Sequence, residues 1–472
     1  MSASPDNYRY AAWLVLTNFK PHKRDTAELI EKYAGKVRNR AAVVEITFGV
    51  IRNLTFIDGL ITQISSHPKN RISEKILNCL RIAVYELVFS GQADYAAVSE
   101  AVNLSNKVGS KKAAGFANAV LRKISAHIKN KSADFENVGS QKTLPVTPAV
   151  GCQFDIDVLP DPNRSKAEYL SSAFSLPLWL IEQWLLQFGS EKTLDICFAA
   201  NRRPSVYARA NRLKLTPQQL FEILKSQDID CELVEQYKMV RLNKSGNIAE
   251  PKAFKEGLFT IQDITSSRVV PLLNLQPGWK IFDICAAPGT KTTQIAELID
   301  DKGLIIATDK DKTRLAMLDE NIKRLGIKSV TTMDYKTFFR DSSHLSSADA
   351  VLLDVPCSNT GVLARRPEVR CRLNVKILNF LAKTQTELLK SAAAFVRRGG
   401  RICYSTCSIL NQENSDVINT FIRHQPEFSL EKENLFLPSA CGEPVCPEHG
   451  RRVEAAGTYD FDGGYAAILI RK

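Results

Sequence analysis

Lys280-Ile281-Phe282-Asp283-Ile284 runs directly into Cys285-Ala286-Ala287-Pro288-Gly289-Thr290-Lys291, and this junction decides the fold of the C-terminal half. A short apolar run rich in β-branched and aromatic residues reads as a buried strand. The small residues and the glycine after it read as a tight turn into a helix. The same unit recurs downstream. Strands are expected at Leu304–Asp309, Val330–Asp334, Ala350–Asp354, Arg401–Ser405 and Tyr465–Ile470, with helices between most of them. In one such helix Leu315, Leu318, Ile322 and Leu325 share a face, and Gly326 ends it. Regular alternation of strand and helix predicts a largely parallel sheet covered on both faces. Ligands of such sheets bind beyond the carboxyl ends of the strands.

The residues at those ends are informative. Asp283 lies near the end of its strand, Asp309 closes the next, and Asp334 and Asp354 close the following two. Successive strand-end carboxylates repel one another, which is costly as plain scaffolding. They suit a ligand carrying hydroxyls, an amine and a positive charge, with Asp309 placed for ribose hydroxyls. A phosphate-binding P-loop aligned on Lys291-Thr292 needs glycines where Cys285 and Thr290 stand. A dinucleotide fingerprint needs three glycines, and this turn holds only Gly289. The remaining alternative for the loop is an ordinary turn with no ligand.

Upstream the pattern changes twice. Val43, Ile46, Val50, Leu54, Ile57, Ile61 and Ile64 form one helical stripe; Ile72, Ile76, Leu80, Ala83 and Leu87 form another, ended by Gly91. Ala97, Ala101, Leu104 and Val108 make a third before Gly109, and Phe116, Val120 and Ile124 begin a fourth. Residues 129–165 are rich in Lys, Asn, Ser, Asp and Pro and read as a linker. Residues 166–268 mix a helix over Leu178–Phe188 stopped by Gly189, a strand over Val206–Asn211, a helix at Gln218–Ser226 and a strand at Lys238–Leu242. The expected organisation is multidomain: an all-α bundle over 1–128, a linker over 129–165, a small α+β domain over 166–268 and an α/β Rossmann-like domain over 269–472.

Composition bounds what such a chain does. Its 472 residues exceed one ordinary core, and 44% hydrophobic content argues against wholesale disorder. No apolar run approaches a membrane span, and Met1–Lys20 lacks a secretory core, so a cytoplasmic protein without a membrane partner is expected. The net charge is +12, and residues 1–130 hold 19 Lys and Arg against 10 Asp and Glu. A solvated basic surface would explain that excess; so would a polyanionic partner such as nucleic acid. The 11 cysteines include no Cys-x-x-Cys pair, so reduced thiols are expected rather than a disulfide framework. Cys441, Cys446 and His449 cluster in sequence, but their spacing fits no standard zinc pattern, and no metal is expected.

At the fourth strand end stands Asp354-Val355-Pro356-Cys357-Ser358-Asn359-Thr360-Gly361, and at the fifth Tyr404-Ser405-Thr406-Cys407-Ser408, followed by Asn411-Gln412-Glu413-Asn414. A single buried cysteine is usually inert core. Two, each in a polar loop at a strand end, form a candidate reactive pair, whereas Cys403 inside its strand reads as packing. At these residues the chain resembles the RNA (cytosine-5)-methyltransferases of the Fmu/Sun family. That family carries Asp-Ala-Pro-Cys-Ser-x-x-Gly, Thr-Cys-Ser before Glu-Asn, Cys-Ala-Ala-Pro-Gly-Gly-Lys-Thr and a C-terminal Asp-Gly-Phe-Phe. The segments Arg40-Ala41 to Arg52, Ala96 to Val102 and Gly115 to Arg122 resemble a NusB-like RNA-binding domain, which within the family marks the enzymes of bacterial 16S rRNA.

The resemblance implies S-adenosylmethionine as methyl donor and small-subunit rRNA as substrate. Cys285, Ala286, Ala287, Pro288, Gly289, Thr290 and Lys291 would hold the donor's methionine portion. Asp309 would take its ribose, Asp334 its adenine amine, and Asp354 its amino group or the target base. Cys407 would be the nucleophile and Cys357 the residue needed for product release. Gln262-Asp263 matches a further family segment. Three features depart from the family: Thr290 replaces a glycine, Gly464-Tyr465 replaces two aromatics, and the linker is long. Two other functions fit the same residues, a non-catalytic RNA-binding ribosome-assembly factor and the same chemistry on tRNA.

Overall fold

The computed structural model describes residues 7–21, 26–134, 139–243, 252–440 and 459–472. Contacts divide it into two compact units. The first comprises residues 1–203 with 363–373 and 440–459, and the second residues 204–362, 374–439 and 460–472. Cys441, Cys446 and His449 fall outside the described residues.

Unit 1 contains helices α1 (Tyr8–Asn18), α2 (Thr26–Ala34), α3 (Arg40–Arg52), α4 (Leu54–Ser65), α5 (Glu74–Phe89), α6 (Asp94–Val108) and α7 (Lys111–His127). The stripe expected to run from Val43 to Ile64 is split. Asn53 ends α3, donating its backbone N–H to the Gly49 and Val50 carbonyls, and α4 begins at the next residue. Helix α5 is the buried centre, with Ile76, Leu80, Ala83 and Leu87 all enclosed. Gly49 lets it close on α3, because a Cβ at that position would sit 2.1 Å from the Tyr85 ring.

Residues 129–165 are not a structureless linker. Strands β1 (Ile128–Asp134), β2 (Thr143–Pro145) and β3 (Val150–Phe154) form an antiparallel sheet in the order β1-β3-β2. Leu144, Cys152 and Phe154 are buried, and Phe154 meets the Phe56 ring at 6.3 Å. These few apolar anchors suffice for a small sheet, and the polar residues between them dominate the composition and conceal it. Helices α8 (Lys166–Phe174) and α9 (Leu178–Asn201) follow this sheet and fall within unit 1. Gly189 breaks α9 as expected, at φ 76°, but helical structure resumes at once to Asn201.

Unit 2 holds two sheets. In the smaller, β4 (Val206–Ala210), β5 (Cys231–Val234), β6 (Met239–Leu242) and β7 (Phe259–Ile261) pair antiparallel in the order β5-β6-β4-β7. Helix α10 (Pro217–Ser226) opens with a reciprocal capping box between Thr216 and Gln219 and packs Leu220 and Leu224 into its core. The short helices α11 (Lys252–Lys255) and α12 (Ile264–Ser267) flank β7.

The larger sheet contains β8 (Lys280–Ile284), β9 (Leu304–Asp309), β10 (Val330–Asp334), β11 (Ala348–Asp354), β12 (Val396–Thr406), β13 (Phe428–Phe436) and β14 (Gly464–Arg471), in the order β10-β9-β8-β11-β12-β14-β13. The first five are parallel, and β14 and β13 add an antiparallel edge. Helices α13 (Thr290–Leu298), α14 (Lys312–Leu325), α15 (Tyr335–Arg340), α16 (Val375–Ala393) and α17 (Ser415–His424) complete the unit. Both sheet faces are covered. Phe282, Ile284, Leu353 and Tyr404 lie in one core, and Ile281, Leu352 and Cys403 in the other, so alternate strand residues feed opposite layers. The chain moves outward from β8 through β9 to β10, then crosses to β11 on the far side of β8. Strand order reverses between β8 and β11, which opens a crevice where their carboxyl-end loops part.

Candidate active site

The crevice is lined first by the loop after β8. Cys285 leaves the strand at φ 71°, and Gly289 enters α13 at φ 101°. Gly289 is required twice over: its conformation favours glycine, and a Cβ there would meet Leu318 Cδ1 at 2.2 Å. The Ala287–Pro288 peptide bond is cis. Thr290, the departure from the resembled family, is the first residue of α13 and is not in a left-handed conformation, so its Cβ adds no backbone strain. Arg314 and Asn321 of α14 hold the loop from the other side, donating to the Ala287 and Pro288 carbonyls at 2.6 and 3.3 Å.

The strand-end carboxylates are each accommodated separately, which relieves the repulsion expected among them. Asp283 is buried, accepts a hydrogen bond from Thr292 Oγ1 at 2.6 Å, and has its second oxygen unpartnered among the described residues. Burial pushes its carboxyl up to about 7, so near neutrality it is partly protonated. Asp309 accepts the Ala287 and Asp311 backbone N–H groups at 3.1 and 2.9 Å and braces the loop. Asp334 caps α15 and pairs with Lys312 at 3.1 Å, the hydrogen bond from Lys312 holding it below the usual carboxylate range. Asp354 accepts from Lys291 Nζ and from Ser405 Oγ, both at 2.7 Å. Burial lowers Lys291, but its acidic neighbours, Asp354 foremost, together outweigh it and hold the ammonium above its ordinary value.

The two cysteine loops meet. In the parallel register Asp354 pairs with Ser405, so Cys357 and Cys407 leave adjacent strand ends together. Their sulfurs lie 2.9 Å apart, both half-buried, and Cys407 Sγ donates to Asn359 Oδ1 at 3.2 Å. The hydrogen bond with Cys407, followed by burial, raises the Cys357 thiol well above its ordinary value. Cys403 is core, as expected, and burial pushes its thiol up. Burial also pushes Cys285 up to about 12, which makes it an unreactive wall.

A buried polar frame fixes this geometry. Glu413 accepts from Ser358 N at 2.8 Å, from Ser358 Oγ at short range and from Gln385 Nε2 at 2.9 Å. Tyr404 OH donates to the Glu413 carbonyl at 2.6 Å. Asn359, at φ 61°, donates to the Cys357 carbonyl at 3.0 Å, so one side chain contacts both cysteine residues. Gly361 N–H donates to the Cys407 carbonyl at 2.9 Å, and Gly463 N–H to the Gly361 carbonyl at 2.7 Å. Asn359 and Glu413 stand inside the motifs already singled out, yet their supporting roles depend on which loops meet.

Arg209 was missed. Tyr207, Arg209 and Asn211 are buried along with Ala208 and Ala210. Arg209 ion-pairs with Glu297 of α13 at 2.7 Å and donates to the Thr290 carbonyl at 3.1 Å and to Gln262. Gln262 donates to Gln294 at 3.1 Å, and Asp263 accepts from Thr265 N at 2.9 Å and Asp462 N at 3.2 Å. The Gln262-Asp263 segment thus ties α13 and the C-terminal strand to the small sheet. An arginine on an apolar-periodic strand was the available signal.

Three family descriptions match the chain: NusB family over residues 7–126, a ferredoxin-like domain of the RsmF/B-like methyltransferases over 176–249, and 16S rRNA methyltransferase RsmB/F over 270–469. The probable ribosomal RNA small subunit methyltransferase B of Bacillus subtilis (strain 168) is 30% identical over 92% of this chain and 91% of its own length. The crystal structure of PH0851 superposes with a TM-score of 0.71 at 26% identity, covering 100% of both chains. That of NSun6 from Pyrococcus horikoshii with SFG has a TM-score of 0.52 at 24% identity over 62% of this chain and 98% of its own.

Proposed function

This chain belongs to the 16S rRNA methyltransferase RsmB/F family, and from that premise we propose that it methylates carbon 5 of a cytosine in small-subunit rRNA through a covalent Cys407 adduct. The observation that carries the reading is the pair of thiols 2.9 Å apart beside the Asp354–Lys291 ion pair, at the crevice where strand order reverses.

S-adenosylmethionine is the donor that fits this crevice, and when bound it supplies an electrophilic methyl group on a sulfonium. Asp309 and Asp334 offer carboxylates for hydroxyl and amine groups. The unpartnered oxygen of buried Asp283 is a polar atom facing no protein donor among the described residues.

The chain's own residues then account for the rest. Cys407 releases its thiol proton to solvent and, as a thiolate, adds to carbon 6, forming a C–S bond and placing an electron pair on carbon 5, which becomes nucleophilic. Lys291 and Asp354 sit 2.7 Å apart as a proton donor and acceptor for the ring nitrogen and its amino group. Once methyl has been transferred, carbon 5 must lose its proton before the C–S bond can break. Cys357 takes that proton. In the free enzyme the hydrogen bond with Cys407 is the largest influence keeping Cys357 protonated. Forming the adduct turns Cys407 into a thioether and removes that partner's charge; Cys357 then gives its own proton to solvent and, as a thiolate, accepts the one from carbon 5. The target base must be unstacked to enter, so the substrate cytosine is single-stranded or flipped.

The two thiols have opposite signatures. Cys407→Ala is expected to form no adduct with rRNA, whereas Cys357→Ala accumulates a denaturant-resistant protein–RNA species. The reverse pattern would mean that the roles are exchanged. Bisulfite sequencing of small-subunit rRNA with and without the gene tests the target; an unchanged pattern at every cytosine would sink the proposal.

A further inference from the structure

Between α6 and α7 of unit 1 the bundle opens into a groove of about 730 Å³, distant in sequence from every residue of the catalytic crevice. A groove of this size admits a small ligand or one or two unstacked nucleotides, not the face of a double helix. Gly115 lines it, and a Cβ added there would meet nothing within 4 Å, so the space over α7 is open.

Three kinds of group surround that space. Tyr95 stands at its edge, 80% exposed, an aromatic ring presented to solvent from the first turn of α6. Asn103, Asn106 and Asn118 supply amide donors and acceptors. Lys111 and Arg122 supply positive charge, and neither makes an ion pair among the described residues. The acids of α6 do not offset them. Asp94 is held by Lys131 at 2.5 Å and Ser125 at 2.6 Å, and Glu100 lies 3.8 Å from Arg9. Lys112 and Lys123, exposed on α7, add to the positive field.

Any one of these features is ordinary on a surface. An open platform ring, side-chain amides and unpaired cations around one groove match unpaired RNA, whose bases stack on aromatic rings and present hydrogen-bonding edges. An acidic peptide would use the cations but leave the ring and the amides without function.

We propose that the α6–α7 groove is a second RNA-contact site, taking an unpaired stretch of the substrate with a base stacked on Tyr95 and phosphates at Lys111 and Arg122. The proposal rests on the reading that the substrate is RNA, but not on the methylation chemistry.

The test is fluorescence anisotropy of a labelled unpaired oligoribonucleotide with the full chain, without methyl donor. A protein that binds through the groove but fails to methylate would therefore support this site while overturning the catalytic reading. Tyr95→Ala is expected to weaken binding about ten- to a hundredfold, the range for losing one base stack, whereas Tyr95→Phe keeps the ring and stays close to wild type. Gly115→Leu fills the groove with a residue that favours helix, so it is expected to weaken binding without loss of melting temperature. Wild-type affinity in both Tyr95→Ala and Gly115→Leu would overturn the proposal. So would tighter binding of duplex RNA or polyglutamate than of the single strand.

Discussion

Replacing Asp283 by Asn should change how stability depends on pH more than it changes stability at any single acidic pH. Asp283 is fully enclosed at the end of β8, and burial raises its carboxyl from 3.8 to about 7. The raised value fixes the sign. Below about pH 4 both folded and unfolded chains hold the proton, and the group imposes no penalty. As pH climbs toward 7 the unfolded chain releases the proton while the folded chain retains it, so folding becomes progressively less favourable. The loss is complete only above the folded value. Between pH 5 and pH 8 the difference amounts to roughly 2–3 kcal/mol, taking about 1.4 kcal/mol per pH unit over which only one state is ionised. In a unit of this size that corresponds to about 5–10 °C in melting temperature. Asn keeps an oxygen for Thr292 Oγ1 and cannot ionise, so it mimics the protonated form. Melting curves of wild type and Asp283→Asn at pH 5 and pH 8, read on near-ultraviolet circular dichroism, give the comparison. Other titrating groups contribute equally to both proteins and cancel. Parallel pH dependence in the two proteins would refute the assignment of a neutral carboxyl at this strand end.

Two other perturbations test the frame around the crevice. Arg209→Met strands the buried Glu297 carboxylate and is expected to cost about 3–5 kcal/mol in chemical denaturation, most of it regained by adding Glu297→Leu. A double variant no more stable than the single one would show that the charge pair is not the cause. Gly361→Ala places a Cβ 2.5 Å from the Gly463 carbonyl oxygen and 2.9 Å from that of Cys407. It should therefore displace Cys407, the proposed nucleophile, and lower kcat roughly a hundredfold while leaving donor affinity intact; wild-type kcat would contradict this.

Much of the catalytic half was legible because local and global signals agree there. Strands β8 and β9 have the bounds expected from their apolar runs, since parallel strands buried on both faces are near-continuously apolar, and the edge strand β10, although polar at Thr331 and Thr332, also keeps its expected bounds. Glycines at helix ends, such as Gly326 at φ 76°, were readable for the same local reason. The sheet over residues 128–154 was not legible, because only Leu144, Pro145, Cys152 and Phe154 anchor it within a strongly polar stretch. Strand β13 was also missed. Residues 430–433 are exposed on both faces of an edge strand, and that pattern reads as loop when its partner β14 is unknown.

At the site itself, sequence alone determined which chemistry was available: two cysteines in polar loops, carboxylates at strand ends and a glycine turn. It could do so because reactive side chains at strand-to-loop junctions are a local pattern. What only the tertiary structure decided is which of these groups share an environment. Pairing of β11 with β12 brings the Cys357 and Cys407 sulfurs within 2.9 Å of each other across 50 positions of sequence. Burial makes Asp283 a partly protonated acid, while Asp354 and Asp334 form salt bridges with Lys291 and Lys312. Arg209 became part of the frame only when its strand packed against α13. Protonation state and partnership depend on dielectric and distance, and neither is written in the order of the residues.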